Sequence, residues 1–343
     1  MEPAALDECR VVIVVDNETD TLSSVDEGVA QTPELVGRIA RTPPGPEAAA
    51  GHECREAFAD LCVACHGFSA LVTGRRGDQQ HTVLFDVGPS ADIWLDNARR
   101  LAIDLASIEA VFLSHWHFDH SGGMPGVVAA IARARRDAGL AAPLVDLHPD
   151  RPDQRGILLP TGLMMLLEPE PTMAAFADAG GEIRLHADAH PVGGDFFLGS
   201  GAIPRLTSYE NGLPGHHSSR GGAYALDPLI MDERYLAVRV RGRGVTVLSA
   251  CSHAGVVNAC LDARRAAGGE AVDAVIGGYH LAGKGVEPRI EPTVRDLVDR
   301  VGARIVAPGH CTGWRAKVAL AAAFAPGRYG PSVVGTVYTL RAE

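Results

Sequence analysis

Three apolar segments of this chain each run directly into a histidine that is followed closely by glycine. They are "EAVFLSHWHFDHSGG" at 109–123, "VTVLSACSHAG" at 245–255 and "ARIVAPGHCTG" at 303–313. Short apolar runs that stop at turn residues predict buried strands. In open α/β sheets, ligand-binding side chains commonly lie at the carboxyl ends of strands. We therefore expect the three segments to bring their histidines together at one edge of a sheet.

The remaining sequence alternates β-rich runs with helical patterns, which predicts an α/β fold. "TVLFDV" at 82–87 precedes the amphipathic segment "PSADIWLDNARRLA", for which Ser90 is a suitable N-cap. The run 234–250 predicts a hairpin that turns near Gly242. No linker-like composition separates the halves, so we expect one domain over 1–343, with insertions near 31–58 and 140–225. Residues 149–225, rich in Pro, Gly and His, are expected to form long loops over one face.

The charge balance indicates a small-molecule partner. The chain has 31 basic and 42 acidic residues and a formal net charge of -11, which argues against a broad surface for nucleic acid or anionic membrane. Its first ten residues are acidic where a signal peptide would be basic, and the apolar run "VVIVV" is too short for a signal core or a membrane span. The expected location is the cytoplasm.

The seven cysteines are odd in number and scattered, so reduced thiols are the simplest interpretation. "CVACH" at 62–66 fits the C-x-x-C-H pattern of c-type haem attachment. Haem is disfavoured because attachment normally requires export and because "GFSALVTG", which follows, resembles a buried strand. Alternatively, Cys54, Cys62 and Cys65 could hold a structural zinc ion together with His52 or His66.

The densest group of potential metal ligands is "HWHFDH". In an extended segment, alternate residues point to the same side, so His115, His117 and Asp119 can converge, while His120 begins the turn into the next helix. Imidazole and carboxylate ligands together suit zinc, and they also suit iron or manganese. The stretch follows a buried-looking strand, which makes a solvated loop a poor explanation. We interpret it as a metal site.

These motifs resemble those of the metallo-β-lactamase superfamily, whose signature is H-x-H-x-D-H in the loop after a strand. Within that superfamily, "VDNE", "HGFSALV", "LFDVGPS", "LSHWHFDHSGG", "ACSHAGVVN", "GGYHL" and "PGHCTG" resemble the branch that includes the archaeal dihydropterin synthases of methanopterin biosynthesis. The resemblance implies a four-layer αβ/βα sandwich with a centre for two divalent ions between its sheets. Zinc is the expected metal, with manganese or iron as alternatives.

The resemblance also implies roles for individual residues. His115 and His117 would bind the first metal, and Asp119, His120 and His310 the second. Asp86 in "LFDVG" matches a buried aspartate that supports a ligand histidine, in keeping with how such ligands are oriented.

The chain departs from the superfamily pattern at "SACSHAG", where most hydrolases of the superfamily have a bridging aspartate. The candidates here are His253, which we favour, and Cys251, for which a merely buried small residue is an equal alternative. A separate ligand histidine usually lies between the two motifs, and His186, His190, His216 and His217 are all available. "GLPGHHSSRGG" predicts a flexible loop, so substrate contact or solvation is expected for His216 and His217.

His280 in "IGGYHL" lies at another predicted strand end, and we consider a structural role or donation of a proton to a leaving group. The predicted activity is metal-assisted hydrolysis, or a related transfer, of a small phosphorylated or ester-like substrate, with Asp119 orienting the nucleophile. The alternatives are a lactonase or other ester hydrolase, a dihydropterin-synthase-like transferase, an iron-dependent oxidoreductase such as a persulfide dioxygenase, and a non-catalytic binder. No nucleotide-binding glycine fingerprint competes with these interpretations.

Overall fold

A computed structural model describes residues 2–26, residue 29 and residues 60–343. The predicted insertion at 31–58 and two of the residues suggested for a structural zinc site, His52 and Cys54, lie outside the described residues. None of the helices in the described ranges has the length and apolar character needed to cross a membrane.

Two large sheets form the centre of the molecule. The strands of the first sheet, in spatial order, are β10 (His190–Val192), β11 (Phe197–Gly199), β14 (Leu236–Val240), β15 (Gly244–Ser249), β16 (Val272–Gly278) and β17 (Ile305–Gly309), with β1 (Ala5–Leu6) beside β14. The strands of the second sheet are β18 (Val337–Arg341), β2 (Glu8–Val15), β3 (Ser69–Arg76), β4 (Gln79–Phe85), β5 (Ala110–Phe112), β6 (Leu144–Leu147) and β9 (Glu182–Leu185). β4, β5, β6 and β9 run parallel, as do β15, β16 and β17, so their carboxyl ends share an edge within each sheet.

Helices cover the outer faces of both sheets. The longer helices are α1 (Ala91–Arg100), α3 (Met124–Asp137), α5 (Val256–Ala266) and α7 (Trp314–Phe324). The single-turn helix α2 (Phe118–Ser121) lies between α1 and α3 in the chain, and two further short helices are α4 (Met173–Asp178) and α6 (Ile290–Asp296). Ser90 caps α1, accepting a hydrogen bond from the amide of Ile93, as its sequence predicted.

Three apolar cores define the layers. One contains inward-facing residues of both sheets, such as Phe85 and Phe112 from the second and Leu248 and Ile276 from the first. The other two cores pack α5 and α7 on the first sheet, and α1 and α3 on the second. The alternation of two buried sheet faces with helices outside them confirms the predicted αβ/βα four-layer sandwich. The predicted hairpin is also present, with β14 and β15 antiparallel.

Two sequence predictions are corrected by this topology. Residues 149–225 are not a set of long loops, because they contain a separate sheet of four strands: β13 (Ala223–Leu226), β12 (His216–Arg220), β7 (Gln154–Leu158) and β8 (Met164–Leu166). The histidine-bearing strands do not share one sheet edge either. β5 belongs to the second sheet, whereas β15 and β17 belong to the first, so the site bridges the edges of two sheets.

Candidate metal centre

Most residues of the site follow the carboxyl ends of strands: β2, β4, β5, β15 and β17, with β16 contributing His280. Non-glycine residues with left-handed backbone cluster there: Asp86 (φ 55°), Ser252 (φ 60°), His280 (φ 44°) and His310 (φ 43°). This conformation is sparsely populated by residues other than glycine and is found where the surrounding structure requires it, often at functional sites. The chain therefore turns sharply after four of these strands, β4, β15, β16 and β17, at or beside residues of the site.

The first group of converging ligand atoms comes from His115, His117 and His253. Nδ1 of His117 lies 2.9 Å from Nε2 of His115 and 3.2 Å from Nε2 of His253. All three side chains are buried, and burial lowers the pKa of each imidazole well below its ordinary value, so the rings are neutral. Three neutral imidazole nitrogens at these separations provide the ligand set of a divalent metal ion.

Outer hydrogen bonds fix the ring protons away from this point. Nδ1 of His115 donates to Oγ of Ser114 (2.8 Å), which itself donates to Oδ2 of Asp86 (2.6 Å). His216 donates its Nδ1 proton to the carbonyl oxygen of Asp227 (2.7 Å), so its Nε2 accepts from Nε2 of His117 at 3.2 Å. The facing nitrogens of His115 and His117 then carry lone pairs 2.9 Å apart, an arrangement that is repulsive until a cation lies between them.

His216 therefore differs from its sequence prediction. It lies in β12, not in a flexible loop, and it is fully buried against His117. Burial, followed by the charge of Arg155, lowers the pKa of His216 to about 4, which keeps it a neutral acceptor. The neighbouring His217 points elsewhere and donates to the carbonyl of Gly215 (2.8 Å). The two histidines have different environments because successive residues of a strand face opposite sides.

The second group of ligand atoms surrounds Asp119. Its Oδ2 lies 3.3 Å from Nε2 of His310, 3.4 Å from Nε2 of His66 and 3.7 Å from Nε2 of His120. Nε2 of both His120 and His310 is buried with no hydrogen-bond partner in the described part of the chain. Although burial alone raises it, the pKa of Asp119 is held below its ordinary value by His120 and His310. A second cation would bind the two unpartnered nitrogens and the ionised carboxylate of Asp119 together.

Two buried aspartates orient the histidines of the second group. Asp86 is fully buried, and its Oδ2 accepts a hydrogen bond from Nδ1 of His120 at 2.8 Å. Oδ1 of Asp16 accepts a hydrogen bond from the backbone amide of His310 (2.9 Å), and Oδ1 of Asn17 accepts one from Nδ1 of the His310 ring (3.0 Å). In each ring the inner nitrogen, Nε2, is left free to coordinate.

The strand-end segment 251–253 supplies both of its candidate side chains to the site. Nε2 of His253 joins the first group, and its backbone amide donates to Oε1 of Glu233 at 2.7 Å. Sγ of Cys251 lies 3.2 Å from Sγ of Cys311 and 3.6 Å from Nδ1 of His280. Burial lowers the pKa of His280, but Cys311 and the carboxylates of Glu233 and Asp119 outweigh it, so the net pKa is above its ordinary value.

A cavity of about 610 Å³ opens above both groups of ligand atoms. Its lining includes residues of both groups, among them His117 and Asp119, together with His280, and much of the remaining lining is apolar. The apolar side chains that line it are Phe118, Ile157, Leu167, Leu213, Ala282 and Trp314. Glu18 and Glu168 also line the cavity, and no lysine or arginine does so among the described residues.

Some predicted candidates lie elsewhere. His186 and His190 form a separate cluster in which both rings contact Oδ2 of Asp146, at 3.0 and 2.7 Å, and Arg234 binds the other carboxylate oxygen. His66 faces Asp119, and its ring is 4.8 Å from that of His310, so it contributes to the main site.

Four further residues contact the site although the sequence predicted no role for them: Asp16, Asn17, Glu233 and Cys311. The motif "VDNE" contains Asp16 and Asn17, and "PGHCTG" contains Cys311.

Comparisons with known proteins agree with the fold. A model described as the metallo-beta-lactamase superfamily matches residues 63–227. The 7,8-dihydropterin-6-methyl-4-(beta-D-ribofuranosyl)-aminobenzene-5'-phosphate synthase of Methanocaldococcus jannaschii is 30% identical over 267 residues, which cover 74% of this chain and 82% of that protein. The structure of Tm1679, a metal-dependent hydrolase of the beta-lactamase superfamily, matches with a TM-score of 0.65 and 24% identity over 98% of this chain and 99% of that one. The metallo-beta-lactamase fold protein YhfI from Bacillus subtilis matches with a TM-score of 0.51 and 12% identity, over 97% and 100%.

The chain belongs to the metallo-beta-lactamase superfamily. Within it, the predicted resemblance to the archaeal methanopterin-biosynthesis synthases is confirmed by the 30% identity to one of them. The fold implies that divalent metal is bound, and the residues present fit such ions because two sets of nitrogen and oxygen donors converge and leave buried nitrogens unpartnered.

Proposed function

We propose that this protein is a metal-dependent hydrolase that uses two divalent ions, with zinc as the first choice, to act on a small ester-like or phosphorylated substrate. The observation that carries the proposal is the adjacency of two sets of ligand atoms, one centred on His117 and one on Asp119. When bound, two such ions supply a hydroxide near neutral pH and polarise the scissile bond.

The protein's own residues would hold and orient the reactants. His115, His117 and His253 would bind one ion, while Asp119, His120 and His310 would bind the other. The carboxylate of Asp119 faces the cavity and can orient the attacking oxygen. His280 lines the cavity and can donate a proton from its Nε2 to a leaving group, because its Nδ1 faces Sγ of Cys251.

The cavity walls favour an ester-like substrate whose remainder is apolar. A negatively charged group far from the metals would meet Glu168 and apolar side chains, with no cation among the described lining residues to neutralise it. The lining residue Glu18 is paired with Lys317 at 2.9 Å, so that lysine already has a carboxylate partner. Trp314 is 69% exposed at this cavity and offers a flat surface for an aromatic or alkyl group.

Group transfer is the second candidate, since the Methanocaldococcus jannaschii relative is named a synthase. A transferase would use the same centre but pass the substrate fragment to an acceptor other than water. The two candidates differ in whether turnover requires that acceptor. Multiple turnovers in buffer alone support hydrolysis, whereas turnover that begins only when an alcohol or amine acceptor is added supports transfer.

The test compares esters that share a leaving group. Metal-loaded protein is assayed with p-nitrophenyl butyrate, p-nitrophenyl hemisuccinate and bis(p-nitrophenyl) phosphate, with metal analysis and oxygen uptake measured in parallel. We expect turnover, a preference for butyrate over hemisuccinate, and a smaller preference in Glu168→Gln. Bound iron with oxygen consumption and no hydrolysis would instead identify an oxidoreductase.

The control variants separate the centre from the rest of the protein. His115→Ala and His117→Ala should lose both metal and activity. His81→Ala is the matched control, because this histidine lies in the same sheet, in β4, and pairs with Glu109 (2.6 Å) away from the site. Full activity in His117→Ala would refute the proposed centre.

A further inference from the structure

Cys251 lies between the two groups of ligand atoms. It follows β15, is 3% exposed, and its Sγ belongs to a group with ring nitrogens of both His115 and His120 in which all ligand atoms lie within 4.8 Å of one another. His115 is part of the first group around His117. His120 is part of the second group around Asp119. The sulfur is thus close to donors of both proposed ions.

The contacts of the two neighbouring thiols distinguish them. Sγ of Cys311 lies 3.4 Å from the carbonyl oxygen of Cys251, so its S–H has a backbone acceptor. Sγ of Cys251 has Sγ of Cys311 at 3.2 Å and Nδ1 of His280 at 3.6 Å as its neighbours, in addition to the ligand histidines. Both sulfurs lie near His280 and line the cavity, but of the two only that of Cys251 also belongs to a group with ring nitrogens of His115 and His120 among the described residues.

Gly278 shows that the thiol pair is closely packed. A Cβ at this position would lie 2.8 Å from Sγ of Cys311 and 2.5 Å from the carbonyl oxygen of Ala250. The end of β16 thus packs directly against the sulfur of Cys311, with no room for a side chain between them. This packing limits movement of Sγ of Cys311 towards β16 and so helps to keep it beside Sγ of Cys251.

We propose that the thiolate of Cys251 bridges the two metal ions, an inference that rests on the proposed two-ion centre. A thiolate is a strong ligand for zinc, and a thiol that coordinates such an ion gives up its proton. Because soft thiolate ligands favour zinc over manganese, the bridge also selects the metal. The ions expected at this site are therefore two thiophilic divalent cations that share the sulfur of Cys251.

The experiment uses the full chain loaded with cobalt(II), which occupies zinc sites and absorbs in the near ultraviolet when bound to thiolate. Wild-type protein and Cys311→Ser should each bind two ions and show the sulfur-to-cobalt band. Cys251→Ser should lose the band and bind the second ion at least tenfold more weakly. Cys251→Asp, which replaces the thiolate by a carboxylate, should restore binding of two ions without the band.

X-ray absorption on the zinc-loaded wild-type protein gives a reading that depends on no substitution. A sulfur shell at about 2.3 Å is expected, and it should persist in Cys311→Ser. Two bound ions without a sulfur shell, or loss of the band in Cys311→Ser and not in Cys251→Ser, would overturn the bridge while leaving the hydrolase proposal intact. Failure of the wild-type protein to bind two ions would overturn both.

Discussion

The substitution Asp86→Asn tests whether outer hydrogen bonds control the metal centre. Asp86 accepts three hydrogen bonds: Oδ1 from the amide of Ser114 (2.7 Å), and Oδ2 from Oγ of Ser114 (2.6 Å) and Nδ1 of His120 (2.8 Å). An asparagine can keep its oxygen towards the backbone amide, and its NH₂ group then faces Nδ1 of His120. Asparagine also tolerates the left-handed backbone at this position better than most residues, so the chain itself need not move.

The amide forces His120 to change its protonation. Its Nδ1 must become an acceptor, and the proton moves to Nε2, the nitrogen that faces Asp119. Loss of such an outer partner lowers metal affinity by about 10- to 100-fold, which equals about 1.4–2.8 kcal/mol. The lost bond to a charged group should also lower the free energy of unfolding by about 1.5–3 kcal/mol.

Affinity is measured by competition with a chromophoric chelator, and stability by thermal and urea unfolding of the metal-free protein. Asp146→Asn is the matched control, because Asp146, in β6, is also a buried aspartate that contacts histidines, outside the main site. We expect it to lose stability and keep metal affinity. The reasoning is wrong if Asp86→Asn binds both ions as tightly as wild type, or if Asp146→Asn weakens binding equally.

Three further predictions concern pH, packing and the outer hydrogen bond. Burial raises the pKa of Glu170 from 4.5 to about 7, so the folded state binds more protons than the unfolded state between these pH values, and the free energy of unfolding falls as pH rises through that window. Glu170→Gln should remove up to about 3 kcal/mol of this fall. Thermal unfolding of both proteins at pH 5 and at pH 9 measures the difference. Gly278→Ala should destabilise the fold by about 1–3 kcal/mol in urea titrations, since its Cβ would meet the carbonyl oxygen of Ala250. His216→Ala should weaken metal binding about tenfold or more in the chelator assay, and His217→Ala should leave it unchanged.

The fold could be predicted from the sequence because its signals are local. Buried strands have apolar runs, and helices such as α1 have a cap and a periodic apolar face within a few residues. The prediction that histidines meet at strand ends also rested on local patterns, and the structure brings His115, His253 and His310 to one site. Which sheet each strand joins depends on pairing between distant segments, so the sequence misassigned all three histidines to a single sheet edge.

The environment of His216 could not be predicted for a similar reason. Its neighbours in sequence, with glycine, proline and serine, are typical of a loop. Pairing of β12 with β7, in which His216 lies opposite Ile157, converts the segment into a strand. The strand then turns His216 towards His117, 99 residues earlier in the chain. A turn-rich composition describes the local preferences of the backbone and carries no information about a distant strand that can pair with it.

The arrangement of partners explains why the site is so compact. Each ligand histidine of "HWHFDH" has an outer contact that leads to a residue distant in the chain: His115 through Ser114 to Asp86, His120 to Asp86 directly, and His117 to His216. These contacts select the tautomers that leave the inner nitrogens unprotonated. Variants that lack an outer partner should therefore lose activity mainly because they bind metal more weakly, so a high metal concentration should restore their activity. The activity lost in His280→Ala should not be restored in this way.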